Sequence, residues 1–264
     1  MADRIAEMFQ RTRAAGRPAI IPFVPGGWPE PDATLAIARA AVEGGADALE
    51  IGFPFSDPLA DGATNQAAYQ QALANGVTLV TVLDAVRAIR GEGIDVPVLL
   101  MGYCNPLFSY GTERFVADAV TAGVDGLIIV DLPPEEAAEL EVPAQAAGLH
   151  LVYLLAPTST TERIAVVTSH ASGFIYCVSV TGVTGARTSM SDQLPEFLAR
   201  VRAQTDLPLA VGFGISTREH VQAVGAVADA AVIGSAFVQA VGAAAPAARA
   251  EAVRAFVRGV AGAT

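Results

Sequence analysis

Glu50 lies inside an apolar run, ALEIGF (48–53). A carboxylate in such a segment must be paired, neutral or functional. Two readings stand: the buried half of an ion pair with an Arg, or a general acid/base whose pKa is raised by apolar surroundings. Asp57 and Asp61 follow at once in PFSDPLADG (54–62). Pro54, Pro58 and Gly62 make that loop stiff and sharply turned, so Asp61 can aim a second carboxylate at the cavity Glu50 faces. Two carboxylates in unlike environments can divide the work, one transferring a proton and the other accepting a hydrogen bond as an anion. Asp57 reads equally well as a surface acid.

A second constellation is built from glycine. GFGIS (212–216) and GSAF (234–237) each follow an apolar run and precede a helical one. Gly212 and Gly214 let backbone approach a ligand closely, and Ser216 can cap the next helix. Gly234 and Ser235 open another helix. Helix N-termini offer free N–H groups and the positive end of a dipole, and so bind phosphate without a lysine. Either turn alone would pass as tight packing; the pair together points to a phosphate site.

The remaining chemistry-bearing residues narrow the field. All 16 basic residues are Arg, which excludes Schiff-base aldolases, pyridoxal phosphate held by a lysine of this chain, and lysine P-loops. A net charge of −11 argues against nucleic acid. Cys104 and Cys177 lie far apart, with no metal-ligand spacing, so neither a disulfide framework nor a metal site is expected and a reducing compartment fits. His150, His170 and His220 fall at the starts of strands or within helices, and are expected at the bottom face or outer surface. Asp131 ends a strand, where it either orients a loop or faces the cavity; Tyr176 reads as core or as an active-site hydroxyl.

What positions these groups is a repeated unit. Eight short apolar segments are strand candidates: 19–24, 48–53, 96–101, 126–130, 149–155, 173–178, 207–212 and 230–234. Helical stretches follow at 32–44, 64–90 (dividing in two), 112–122, 134–147, 160–170, 191–204, 216–226 and 247–260. Asp32, Thr64, Thr112, Thr160, Ser191 and Ser216 are the expected caps. Apolar strands separated by helices imply a parallel sheet covered on both faces. Eight units predict a (β/α)8 TIM barrel occupying residues 1–264 as a single domain, with an additional N-terminal helix over 2–15 covering its bottom. A doubly wound sheet is the competitor, weakened because no GxGxxG follows the first strand. The charge-free stretch 230–248 reads as a buried strand plus a short helix, not a membrane span. The N-terminus has no apolar signal-peptide core, so a cytoplasmic location is expected. In a barrel, chemistry sits where strands end, and there the unusual loops fall: 52–66, 179–192, 212–216 and 234–237.

Six segments together resemble the tryptophan synthase alpha subunit family: LEIGFPFSDPLADG (49–62), MGYCNPLFSYG (101–111), VDGLIIVDLP (124–133), YCVSVTGVTGAR (176–187), VGFGIS (211–216) and VIGSAF (232–237). The resemblance implies retro-aldol cleavage of indole-3-glycerol phosphate to indole and glyceraldehyde 3-phosphate. It implies Glu50 as the acid/base on indole C3 and Asp61 as the carboxylate that accepts the indole N–H. Tyr176 matches a residue lining the site, and Thr184 a closing-loop residue that contacts Asp61. Gly185, Phe213, Gly214, Gly234 and Ser235 match the phosphate region. The loop 179–192 is then a lid that excludes water. No cofactor is implied for this chain; pyridoxal phosphate belongs to a beta subunit, the partner in an alpha2-beta2 heterotetramer. Two departures stand out. FVPGGWP (23–29) replaces a more usual Thr-Ala-Gly run, altering the cavity wall or interface near Phe23, and Ala63 stands where Pro is common. The alternatives are another phosphate-binding barrel isomerase or a catalytically silent barrel subunit; both acids such a silent subunit would lose are present.

Overall fold

Eight strands, each too apolar to leave either face in water, close on one another in chain order. They are β1 (Ala19–Pro25), β2 (Leu49–Gly52), β3 (Val98–Gly102), β4 (Gly126–Ile129), β5 (His150–Leu155), β6 (Ile175–Val178), β7 (Leu209–Gly212) and β8 (Ala230–Ile233). The computed structural model describes residues 3–178, 193–212 and 214–262. Every neighbouring pair is parallel, and β1 pairs with β8 to complete a closed barrel. The barrel predicted from the strand repeat is thus the observed fold, and the open-sheet alternative is excluded.

The helices among the described residues are α1 (Arg4–Ala14), α2 (Ala33–Glu43), α3 (Ala63–Ala74), α4 (Leu79–Gly91), α5 (Cys104–Tyr110), α6 (Thr112–Ala122), α7 (Ala138–Ala146), α8 (Thr161–His170), α9 (Leu194–Arg202), α10 (Arg218–Gly225), α11 (Ser235–Ala243) and α12 (Arg249–Ala261). Side-chain alternation along the strands sorts the core into two layers. Ala19, Ile21, Ala48, Leu99, Ile128, Val152 and Ala210 fill the barrel, while Ile20, Leu49, Ile51, Leu100 and Val211 pack outward under the helices. Helix α1 closes the bottom: Ile5, Met8 and Phe9 join the inner layer, with Phe9 edge-on to Phe174 at 5.8 Å.

The bottom also holds three acids built alike. Asp47, Asp125 and Asp229 lie just before β2, β4 and β8. Each accepts a backbone N–H from the start of the preceding strand: Ile20 to Asp47 at 3.0 Å, Val98 to Asp125 at 2.8 Å and Leu209 to Asp229 at 2.8 Å. Each also meets two guanidinium groups. Arg17 grips Asp47 with both terminal nitrogens at 2.6 and 2.9 Å, with Arg11 at 3.3 Å. Arg90 and Arg4 meet Asp125 at 2.5 and 3.0 Å. Arg202 and Arg13 meet Asp229. A forked donor suits this bidentate work better than an ammonium.

Local details depart from expectation. Helix α5 is an additional short helix in the loop after β3, unmarked because Asn105 and Pro106 interrupt its pattern. Thr160 caps α8 as predicted. Thr217 rather than Ser216 caps α10, and α3 starts from Gly62, leaving Thr64 inside its first turn. Thr112 lies within the first turn of α6 and donates to Glu139 instead, and Asp32 precedes α2 without a side-chain cap bond. Ser191 lies outside the described residues. The stretch after Ala230 is a buried strand and a short helix. Among the described residues no single helix is long and apolar enough to cross a membrane; α3 and α4 reach that composition only as a pair bent by 97°.

Candidate active site

The mouth of the barrel gathers polar groups in an otherwise apolar wall. Glu50 points inward from β2, beside Phe23 of β1 in the strand register, and is only 1% exposed. Its Oε2 has no hydrogen-bond partner, and among the described residues no Arg pairs with it, against the ion-pair reading of this residue. Burial first, and the nearby Asp61 charge second, push its carboxyl up to about 8. A carboxyl held there is protonated at neutral pH and able to give that proton away.

Asp61 is 3% exposed and differs in its company. The Tyr103 hydroxyl donates to its Oδ2 at 2.7 Å, and Asn65 Nδ2 to its Oδ1 at 3.2 Å. Burial raises its pKa and these two donors oppose the rise. The loop between β2 and α3 is itself pinned: Ala60 N–H donates to the same Tyr103 hydroxyl at 3.1 Å, and Gln66 Nε2 donates to the Asp61 carbonyl at 2.9 Å. The pair thus has the unlike environments the sequence suggested, one acid bare and one held by donors.

Aromatic rings shape the rest of the mouth. Phe23 is buried and packs edge-on to Tyr69 at 6.2 Å. The Tyr69 hydroxyl reaches over Gly52, where a Cβ would collide with it, and has no partner. Tyr176 of β6 extends its hydroxyl over Gly212 in the same way, so both strand ends must be glycine for the rings to enter. Burial and the charges of Glu50 and Asp61 push both phenols upward, which keeps them neutral donors facing the acids.

At the far side of the mouth Gly214 adopts φ +76°, a left-handed turn that favours glycine. Ser235 begins α11, whose first backbone N–H groups lie at a helix N-terminus. A Cβ on Gly234 would lie 3.9 Å from Asn65 Nδ2, which puts this end next to the Asp61 cluster. Thr184, Gly185 and Phe213 lie outside the described residues.

Other expectations resolve individually. Asp57 is exposed and hydrogen-bonds Ser56, apart from the carboxylate pair. Asp131 orients a loop: its Oδ1 accepts the Cys104 N–H at 2.8 Å and so fixes the start of α5. His150 opens β5 beside Asp3, and His170 ends α8 beside Glu141, both away from the mouth as expected. His220 is a correction. Because α10 begins at Arg218, His220 falls in its first turn, at the rim of the mouth, where its Nδ1 accepts the Ser216 N–H at 3.3 Å. Among the described residues no group of His, Cys, Asp and Glu could hold a metal ion.

Sequence reading did not single out Tyr103, Asn65 or Tyr69. A signal existed for two of them: Asp61, Asn65 and Tyr69 recur every four residues, which places them on one side as the loop runs into α3.

A model of the tryptophan synthase alpha chain matches residues 9–262, nearly the whole described chain. The chain belongs to the tryptophan synthase alpha chain family. The tryptophan synthase alpha chain of Roseiflexus castenholzii is 52% identical over 236 residues, covering 89% of this chain and 90% of that one. Tryptophan synthase of Saccharomyces cerevisiae is 45% identical over 261 residues, covering 98% of this chain but 37% of that longer protein. Among solved structures, tryptophan synthase of Mycobacterium tuberculosis superposes with a TM-score of 0.91 at 37% identity, covering 99% of this chain and 98% of that one. The tryptophan synthase alpha reaction is carbon–carbon cleavage of indole-3-glycerol phosphate, a lyase step of tryptophan biosynthesis.

Proposed function

We propose that this mouth performs the alpha reaction with Glu50 as its acid/base and Asp61 as the anchor of the indole nitrogen. The observation that carries the reading is the contrast within the carboxylate pair: Glu50 buried with its Oε2 unpartnered, Asp61 held by Tyr103 and Asn65. Glu50 gives its proton to indole C3, which turns the ring into an electron sink. The glycerol hydroxyl on the adjoining carbon then loses its proton to the Glu50 carboxylate. That carbon becomes the aldehyde of glyceraldehyde 3-phosphate as the bond to C3 breaks, and its electron pair restores the aromatic indole. Glu50 ends protonated, as it began. Asp61, as an anion, accepts the indole N–H and stabilises the positive charge that develops on that nitrogen. Phe23 and Tyr176 line the ring, and the phosphate sits against Gly214, Gly234 and the N-terminus of α11 at Ser235. Thr184, Gly185 and Phe213 enter this proposal through the resemblance of their segments alone.

Family membership implies a beta-subunit partner, and the yeast protein supports it, since the barrel there makes up a little over a third of one chain named tryptophan synthase. We propose an alpha2-beta2 heterotetramer in the cytoplasm, with the present chain as one barrel domain. The testing experiment is an indole-release assay on indole-3-glycerol phosphate, with and without a beta subunit. Release that rises with the partner supports the reading; no release in either arm refutes it.

A further inference from the structure

Among the described residues, three buried polar atoms at the mouth have no partner: Glu50 Oε2, Tyr69 Oη and Asn65 Oδ1. The first has a role in the proposed chemistry. The last has none, although an unpaired buried amide oxygen is costly to keep. Asn65 is committed at one end only. Its Nδ2 donates to Asp61 Oδ1 at 3.2 Å, which orients the amide and leaves Oδ1 with its lone pairs unused.

Its place in the site says what kind of donor would suit that oxygen. On one side is the Asp61 carboxylate, the proposed anchor of the indole nitrogen. On the other is Gly234, whose Cβ position is 3.9 Å from Asn65 Nδ2 and which leads into the phosphate-binding end of α11. A substrate with its ring at one point and its phosphate at the other must lay its glycerol chain between them. That chain carries two hydroxyls. The one on the carbon bonded to indole gives its proton to Glu50. The other, next to the phosphate-bearing carbon, is a donor in need of an acceptor.

We propose that Asn65 is a specificity-determining residue, holding Asp61 through its N–H and accepting the phosphate-proximal hydroxyl of the substrate through its buried, unpartnered Oδ1. The inference rests on the reading of the site given above. It predicts that the enzyme distinguishes a side chain with that hydroxyl from one without it, because an acceptor built for a hydroxyl is left unpaired by the deoxy compound.

The test compares two ligands, indole-3-glycerol phosphate and its analogue with that hydroxyl replaced by hydrogen. Binding is measured by calorimetry in the full chain with its beta subunit, in a Glu50→Gln background that leaves the substrate uncleaved. With Asn65 in place the natural substrate should bind on the order of tenfold tighter than the analogue. With Asn65→Leu the preference should collapse to about twofold or less. Lost support of Asp61 weakens both ligands alike and cancels in the ratio. Asn65→Ala provides a second variant, and retained analogue binding shows that either variant is folded. A preference that survives both substitutions, or that is missing with Asn65 present, overturns the proposal. Failure of the site reading looks different: Glu50→Gln would still release indole, and the ratio of KM values in the chain that keeps Glu50 would then decide the role of Asn65.

Discussion

Buried acids occur at both ends of this barrel, and the two ends treat them in opposite ways. At the bottom, Asp47, Asp125 and Asp229 each face two Arg side chains and a strand N–H. At the mouth, among the described residues, no Arg is a hydrogen-bond or ion-pair partner of Glu50 or Asp61. The bottom satisfies charge and thereby ties neighbouring strands together. The mouth withholds charge compensation and thereby keeps a carboxyl ready to donate a proton. Removing a partner at the bottom should cost stability; removing an acid at the mouth should cost rate.

The largest expected effect tests the mouth. Glu50→Gln should fold and lower indole release by on the order of 10³-fold, since general acid–base catalysis supplies about 10²–10⁴. Near-full activity in that variant would break the comparison. Asp61→Asn should lose on the order of 10²-fold in kcat while still binding inorganic phosphate, because the charge it removes is aimed at the ring and not at the phosphate. Loss of phosphate binding in a competition assay would count against the separation of the two ends.

The bottom should respond differently. Asp125→Ala strands Arg90, which is mostly buried, and should destabilise the fold by about 3 kcal/mol while kcat at a permissive temperature stays within about twofold. Thermal unfolding followed beside the activity assay reads both. Tyr103→Phe removes one donor from Asp61 and should lower kcat about tenfold. It should also move the acid limb of the pH profile upward, since that hydrogen bond holds the Asp61 pKa down against burial.

The smallest effect has the opposite sign. The Glu50 carboxyl is raised from an ordinary 4.5 to about 8, so the folded chain holds this proton more tightly than the unfolded one. Its contribution to stability is therefore complete below about pH 4.5 and declines as pH climbs towards 8. Glu50→Gln escapes that decline and should melt a few degrees above the parent at pH 9, with a smaller difference at pH 5. Equal differences at both pH values would show that Glu50 is not held protonated by the fold.

Much of this division was legible in the sequence. The barrel was legible because each strand is a short apolar run between helical segments, a pattern that a parallel, doubly covered sheet requires. Glu50 was legible because a carboxylate is conspicuous inside ALEIGF, and Asp61 because two prolines and a glycine stiffen its loop. Whether Glu50 met an Arg was not legible, since that depends on which end of the barrel each Arg reaches. Tyr103 was equally hidden: it contacts Asp61 across 42 residues of chain, and a tyrosine at a strand end resembles ordinary core. His220 was misplaced because the start of α10 was set two residues early, at Ser216, and a helix start faces the mouth.

The closure of β1 on β8 has a consequence for how the molecule is made. On its other edge β1 pairs Ala19–Pro22 with Ala230–Ile233, near the other end of the chain. On a translating ribosome Glu50 and Asp61 emerge early, but the phosphate end at Gly234 and Ser235 arrives with the last strand. Until then the outer edge of β1 is an unpaired template open to foreign strands. The growing chain thus carries its acids well before it can hold a substrate, and it acquires both its shielded edge and its complete mouth in one late event.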